Sequence, residues 1–479
     1  MFSHSVLRTG FFLCKQDYGG IKCLTSIFLT RTTSTLIGGD DKQKTMDDLN
    51  GPSFLTSLYW LFGKGYFQTT HQMQIEHSKI YGPLWKSKYG PLVVVNVADA
   101  DLIEQVLRQE GRHPIRTDMP HWRGYRKLRN HAYGPLTEMG AEWQRIRSIL
   151  NPRMLKPKHV SSYTNAINGV VSDFIEKVAK LRTTTGNDVV VYDVAGELYK
   201  FAFEGISSVL FETRMGCLNE VVPEETKKFI FSVGEMFRLS PIVILFPKSL
   251  WPYMPFWKHF VAVWDHLFKV AEELVQKKMT EIQEMVKHGQ PVEGEYLTHL
   301  LISEQMSFTE VLGSITELLL AGVDTVSIFT LLSLYGWNAL QIFLVCLCLY
   351  PVVPGNARVV AEREIVVGGH LFPKNTLFHL CHFAVSNNEK VFPNPSAFLP
   401  QRWIREQKPL NQHPFGSVPF GFGIRACLGR RLIKHYEVCP DPSGRTVKPI
   451  TRTLLVPATS IDLQFIDRQE EPVKANASV

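Results

Sequence analysis

Apolar residues recur at three- and four-residue spacing over 141–152, 163–181, 197–211, 260–288 and 309–334, a periodicity that predicts five amphipathic helices in the middle of the chain. Strand signals are sparser. Residues 91–97, Pro-Leu-Val-Val-Val-Asn-Val, read as a strand, and 364–372 with its Gly368-Gly369 pair reads as a hairpin. A late strand pair is predicted within 454–465. No repeat or low-complexity linker separates these segments, so the pattern predicts one large, mostly α domain with a small β portion.

Two stretches depart from simple amphipathicity. Residues 241–268 hold Trp251, Tyr253, Phe256, Trp257, Phe260, Trp264 and Phe268, interleaved with Lys248, Lys258 and His259. Aromatics beside lysines suit a surface dipped into a bilayer interface; the alternative is an aromatic core. Residues 326–357 contain no charged residue and are long enough for a membrane span. Gly336, Asn338, Pro351 and Pro354 argue instead for a packed segment, with Cys346 and Cys348 as apolar filler.

The 479 residues are 45% hydrophobic and 11% aromatic, which excludes a disordered, collagenous or small disulfide-framed protein. Eight cysteines without a Cys-x-x-Cys pair give no zinc or thiol-exchange framework. The net charge of +7 is spread along the chain, and no nucleic-acid partner is expected. Residues 1–39 carry Arg8, Lys15, Lys22 and Arg31 against Asp17 alone, and ten of them are Ser or Thr. That is the composition of a mitochondrial transit segment, the alternative being a disordered basic tail. The expected organisation is a transit-like segment over 1–39 and one domain over 40–479.

The segment most suggestive of chemistry runs from Pro419 to Arg431, Pro-Phe-Gly-Phe-Gly-Ile-Arg-Ala-Cys-Leu-Gly-Arg-Arg. Here Cys427 sits in a glycine-rich loop leading into a helical start. Glycines let backbone pass close to a flat ligand, and exposed N–H groups at a helix N-terminus stabilise a thiolate. Such a thiolate can bind iron, and Arg425 could pair with a haem carboxylate. Most cysteines are inert, however, and on chemistry alone a buried structural Cys remains open.

The order Phe420, Gly423, Arg425, Cys427, Gly429 resembles the haem-binding loop of the cytochrome P450 family. The resemblance implies haem b with Cys427 as its metal ligand, Phe420 shielding the sulfur, and nearby N–H groups tuning it. Ala321-Gly-Val-Asp-Thr325 resembles the family's distal-helix motif. There Gly322 would leave room for dioxygen, and Asp324 and Thr325 would relay protons. Alone, such a motif more often reflects packing and a hydroxyl bond to the preceding turn. Trp143 and Arg147, one turn apart, resemble the family's propionate-binding pair, and Arg358 matches a second propionate-binding arginine. Residues 398–403, Phe-Leu-Pro-Gln-Arg-Trp, resemble its meander.

Residues 210–217, 350–354, 371–376 and 413–420 are similar to the mitochondrial sterol side-chain hydroxylases, the 26/27-hydroxylase type. This implies a sterol-like substrate, O2, and electrons from a mitochondrial ferredoxin and its NADPH-dependent reductase. It also implies peripheral contact with the inner membrane on the matrix side. Two family elements are missing. Val345 and Cys348 stand where a Glu-x-x-Arg helix is expected, and Arg431–Cys439 replaces the long helix after the haem cysteine. The fold is therefore expected to be incomplete in its C-terminal half, with Arg402 deprived of its buried partner. Two readings follow: an active monooxygenase, or a non-catalytic splice-type variant with impaired haem binding.

Overall fold

The computed structural model describes residues 43–89, 92–184, 190–292, 294–334, 347–403, 413–429, 449–452, 454–457, 461 and 463–464. The transit-like segment 1–39, Val345, Cys346 and the stretch 431–439 lie outside the described residues.

Twelve helices of the described residues precede the main strands of the second half: α1 (Phe54–Leu58), α2 (Thr70–Tyr81), α3 (Ala100–Gln109), α4 (Pro120–Arg129), α5 (Gly140–Leu155), α6 (Pro157–Ser162), α7 (Thr164–Thr184), α8 (Val194–Leu210), α9 (Glu224–Ile244), α10 (Pro255–Lys287), α11 (Tyr296–Ile302) and α12 (Phe308–Leu334). Their limits follow local chemistry. The Asp99 carboxylate accepts the Leu102 N–H at 3.1 Å to start α3. Proline occupies the first turn of α4, α6 and α10, where no amide donor is needed. Asn130, at φ 55°, closes α4.

The strands are β1 (Lys44–Thr45), β2 (Leu84–Tyr89), β3 (Leu92–Val97), β4 (Val190–Val191), β5 (Asn356–Val360), β6 (Ile365–Val367), β7 (His370–Phe372), β8 (Thr376–Leu380), β9 (Pro449–Arg452), β10 (Leu454–Pro457) and β11 (Leu463–Gln464). The main sheet has the order β2-β3-β8-β5, parallel only between β3 and β8. Val95, Val97, Phe378, Leu380 and Val360 turn one face onto an apolar cluster with Ile103, Val106 and Leu107 of α3. The predicted hairpin is β6–β7, with both turn glycines at positive φ as a tight two-residue turn requires. The late strands pair differently from expectation: β10 pairs with β9, and β11 pairs with β4 far back in the chain. A local pattern cannot announce a partner 270 residues away.

All five predicted helices are present within a few residues. The largest core cluster surrounds α12, with Val311, Leu312, Ile315, Leu319, Leu320, Val323 and Ile328 facing α5, α8, α9 and α10. Residues Phe308–Ile328 are long and apolar enough to cross a membrane, yet most are buried by protein, as befits a central helix. The candidate span 326–357 is not one helix. Helix α12 is described as far as Leu334, 335–346 lie outside the described residues, and Asn356 begins strand β5. In 241–268 the core alternative holds for five of the aromatics: Trp257, Phe260, Trp264 and Phe268 of α10, and Trp251 in the 3₁₀ turn before it, are core residues packed with α4 and α9, whereas Leu250 and Tyr253 are exposed.

One carboxylate ties α12 to the loop before α5. Glu317 is fully buried and accepts from the Leu136 N–H at 2.7 Å, from the Gly134 and Thr137 N–H groups, and from the Thr137 hydroxyl. Arg126 Nη2 of α4 donates to it at 3.0 Å. The remaining Arg126 nitrogens, Nε and Nη1, have no hydrogen-bond partner among the described residues. Its guanidinium instead lies 4.2 Å from the Phe268 ring and 4.5 Å from that of Trp264.

Glu317→Ala leaves Arg126 buried without its anion and should destabilise the chain by about 3–5 kcal/mol in urea denaturation, against a much smaller loss for Arg126→Leu combined with Glu317→Leu. Buried histidines generate a second expectation. Burial pushes His121 down to about 3 and His71 and His382 to about 4, from 6.5. The unfolded chain therefore binds more protons than the folded one between pH 6.5 and 4. Stability should be complete above pH 6.5 and fall with acidification through that window. The urea midpoint should drop from pH 7 to pH 5, and less steeply in His121→Phe, since neither nitrogen of the His121 ring is hydrogen-bonded among the described residues.

Candidate active site

Cys427 is exposed at the end of a loop formed by Phe420–Gly429. Its own N–H donates to the Phe420 carbonyl at 2.9 Å, which folds the loop back on itself. Gly421 and Gly423 take φ of 70° and 66°, a region that penalises any side chain. A Cβ on Gly423 would also meet Glu110 Oε1 at 3.0 Å, and one on Gly429 would touch the Cys427 sulfur at 3.9 Å. Gly423–Arg425 form a single 3₁₀ turn. Whether a helix begins after Cys427 falls outside the described residues.

Two buried arginines carry this loop on α5. Arg147 donates through Nη2 to the Ala426 carbonyl at 2.8 Å and, more weakly, to that of Ile424 at 3.4 Å; its Nε bonds Asn151 at 2.9 Å. Arg425 reaches the other way, with Nε on the Pro114 carbonyl and Nη2 on the Glu138 carbonyl at 3.3 Å. Its guanidinium lies 3.9 Å from the ring of Trp143, which is itself buried and donates to the Pro135 carbonyl at 3.1 Å. The predicted Trp143–Arg147 pair thus shares one face of α5 with the cysteine loop across it.

Arg358, in β5, joins the same group. It is buried, and its Nε donates to Glu110 at 2.6 Å. A fourth cation, Arg116, was not predicted. Burial first, and then the neighbouring Arg358, lower its pKa, while Cys427 acts in the opposite direction. Arg116 has no hydrogen bond to a described residue. Burial, followed by Arg116, Arg358 and Arg147, lowers Arg425 to about 9. So much positive charge in one desolvated place calls for an anion. Glu110 and Arg116 carried no recognisable spacing in Glu-Gly-Arg-His-Pro-Ile-Arg, and only the fold picks Arg116 from its basic neighbours.

The distal-helix residues lie on α12. Ala321, Gly322 and Thr325 are half-exposed, and Asp324 is buried. The Thr325 hydroxyl donates to the Ala321 carbonyl one turn back. The space beside Gly322 differs from expectation: a Cβ there would run into Ile206 of α8 at 2.6 Å, so the glycine admits a neighbouring helix. Arg402 is half-buried, and its Nη2 donates to the Pro393 carbonyl at 2.7 Å and to that of Asn394; among the described residues no carboxylate bonds it. Cys348 is buried beside Ser386 and Ser417, and burial raises its pKa. A cavity of about 350 Å³, lined by residues including Arg126, His131, Tyr133, Glu138, Glu142 and Glu310, contains none of the predicted site residues.

The cluster fits haem on its own terms. A sulfur stands exposed on a glycine-shaped loop, and four guanidinium groups close by suit two carboxylates. Comparison with known proteins agrees. The family model described as cytochrome P450 matches residues 50–336 and 346–435. The rat protein "Sterol 26-hydroxylase, mitochondrial" is 40% identical over 485 residues, covering 90% of this chain and 91% of the relative. The mouse "25-hydroxyvitamin D-1 alpha hydroxylase, mitochondrial" is 38% identical, covering 90% and 94%. The crystal structure of the cytochrome P450DA heme domain superposes with a TM-score of 0.67 at 16% identity, covering 87% of this chain and 96% of that one, which speaks for the fold alone. The chain belongs to the cytochrome P450 family of haem-thiolate monooxygenases.

Proposed function

We propose that this chain hydroxylates a sterol-like side chain, of a cholesterol, bile-acid-precursor or vitamin D type, in mitochondria. The observation that carries the catalytic reading is the exposed Cys427 sulfur on a loop gripped by Arg147 and Arg425. The sterol preference rests on the relatives, at 38–40% identity over most of the chain. Bound through Cys427, haem supplies the activation of dioxygen, with one oxygen atom passing into the C–H bond and the other leaving as water. Two electrons and two protons complete that balance; a mitochondrial ferredoxin and its NADPH-dependent reductase supply the electrons.

The chain's own residues have distinct tasks. Arg147, Arg358, Arg425 and Arg116 would hold the propionates, with Trp143 as the platform under Arg425. Gly429 keeps side-chain bulk off the sulfur. On α12, Thr325 Oγ1 rests on the Ala321 carbonyl, and turning from it lets the hydroxyl pass a proton onward, with buried Asp324 as the carboxyl behind it. The exposed apolar residues Phe54, Leu55, Tyr59 and Phe62, together with Leu250 and Tyr253, support peripheral contact with the inner membrane from the matrix side.

A second reading, a non-catalytic splice-type form, is favoured by one place in the chain. The family match breaks between residues 336 and 346, and buried Cys348 stands where the family's arginine is expected. One experiment separates the two. The purified chain is reduced, exposed to carbon monoxide and scanned through the Soret region. A band of the thiolate-ligated type that disappears in Cys427→Ser supports the enzyme. Absence of that band from the parent chain supports the second reading, and its persistence in Cys427→Ser removes Cys427 as the ligand.

A further inference from the structure

The cation cluster contains an internal anion with no part in the proposed chemistry so far. Glu110 follows the last turn of α3, a helix fixed by the Asp99 cap and by burial of Ile103, Val106 and Leu107. Its Oε2 accepts from Arg358 Nε at 2.6 Å, and its Oε1 lies 3.0 Å from the point a Gly423 Cβ would occupy. The carboxylate therefore touches the cysteine loop and the β5 arginine together. Glu110 is hydrogen-bonded to this cluster through Arg358; Glu317, also within its field, is bonded to Arg126.

We infer that Glu110 is the charge-setting and positioning carboxylate of the haem site, which holds Arg358 towards a propionate and lowers the reduction potential of the bound iron. The inference rests on the haem-thiolate reading above. The placement of this carboxylate carries it. Ferric iron, porphyrin and one thiolate sum to a neutral centre, which turns negative on gaining one electron. A fixed negative charge beside that centre opposes the gain, and without Glu110 the added electron is more favourable. In a desolvated site such a charge is weakly screened and acts at several ångströms. Iron potentials respond to burial and to charges around the ligand set.

The test is a spectroelectrochemical titration of the ferric/ferrous couple in the haem-loaded parent chain, Glu110→Gln and Glu110→Asp, with the carbon monoxide band recorded on each. Glu110→Gln preserves the shape and removes the charge, and its midpoint should lie more positive than the parent's. Glu110→Asp retains the charge, and its midpoint should stay close to the parent's even where the shorter side chain loosens Arg358. Equal midpoints in the parent and Glu110→Gln, both with full thiolate bands, overturn the inference and leave the haem reading intact. Equal shifts in both variants also overturn it, because disturbed packing then explains them. So does loss of haem from either variant alone or from both, since a carboxylate that tunes a bound group is dispensable for loading. A parent chain that takes up no haem overturns the haem-thiolate reading itself, and the inference with it.

Discussion

A buried guanidinium cannot shed its proton to escape desolvation, so it must find oxygen atoms. Around Cys427 that requirement organises the site. Arg147 and Arg425 satisfy themselves on backbone carbonyls of 424, 426, 114 and 138, and in doing so clamp the cysteine loop between α5 and the segment after α3. The sulfur's position is thus set by cations bonded to its own loop. Arg358 has its acid; Arg116 has no bond to a described residue. The same arrangement that places the loop therefore creates a strong field for carboxylates beside the sulfur.

Glu317 answers that excess of cations with the opposite solution. It is an anion saturated by three backbone N–H groups, a hydroxyl and Arg126, and it fastens the central helix to the loop preceding α5. Helix α12 and helix α5 bear the two halves of the proposed chemistry, the half-exposed Thr325 face and the loop-holding Arg147. Their relation is fixed through this knot, while close contact at Gly322, where Ile206 fills the absent side chain, seats α12 on α8. A saturated anion in one place and unsaturated cations in another divide the polar core into a part for stability and a part for ligand.

Much of this was legible beforehand because it is local. Trp143 and Arg147 lie one helical turn apart, Gly423, Arg425 and Cys427 lie within one loop, and the helical periodicities of 141–152 and 309–334 run through the elements that carry them. Other features are not local. The aromatics of 241–268 suited a membrane surface or a core equally, and the packing of α10 and the turn before it against α4 and α9 put five of them inside. Arg402 was expected to lack its acid partner, and among the described residues it rests instead on the carbonyls of the turn at 393–394. Glu110 and Arg116 carried no signal, because their importance arises from a strand end 240 residues later.

By itself the sequence determined the helical character of the chain, the ligand-bearing loop and its resemblance to a haem-thiolate family, since each depends on residues close enough to dictate their own backbone. Only the tertiary structure decided which arginines share one desolvated volume, which carboxylate touches them, and which glycine yields to a neighbouring helix. Charges and steric limits of that kind belong to distances through space, and the order of residues along the chain does not contain them until the helices have packed.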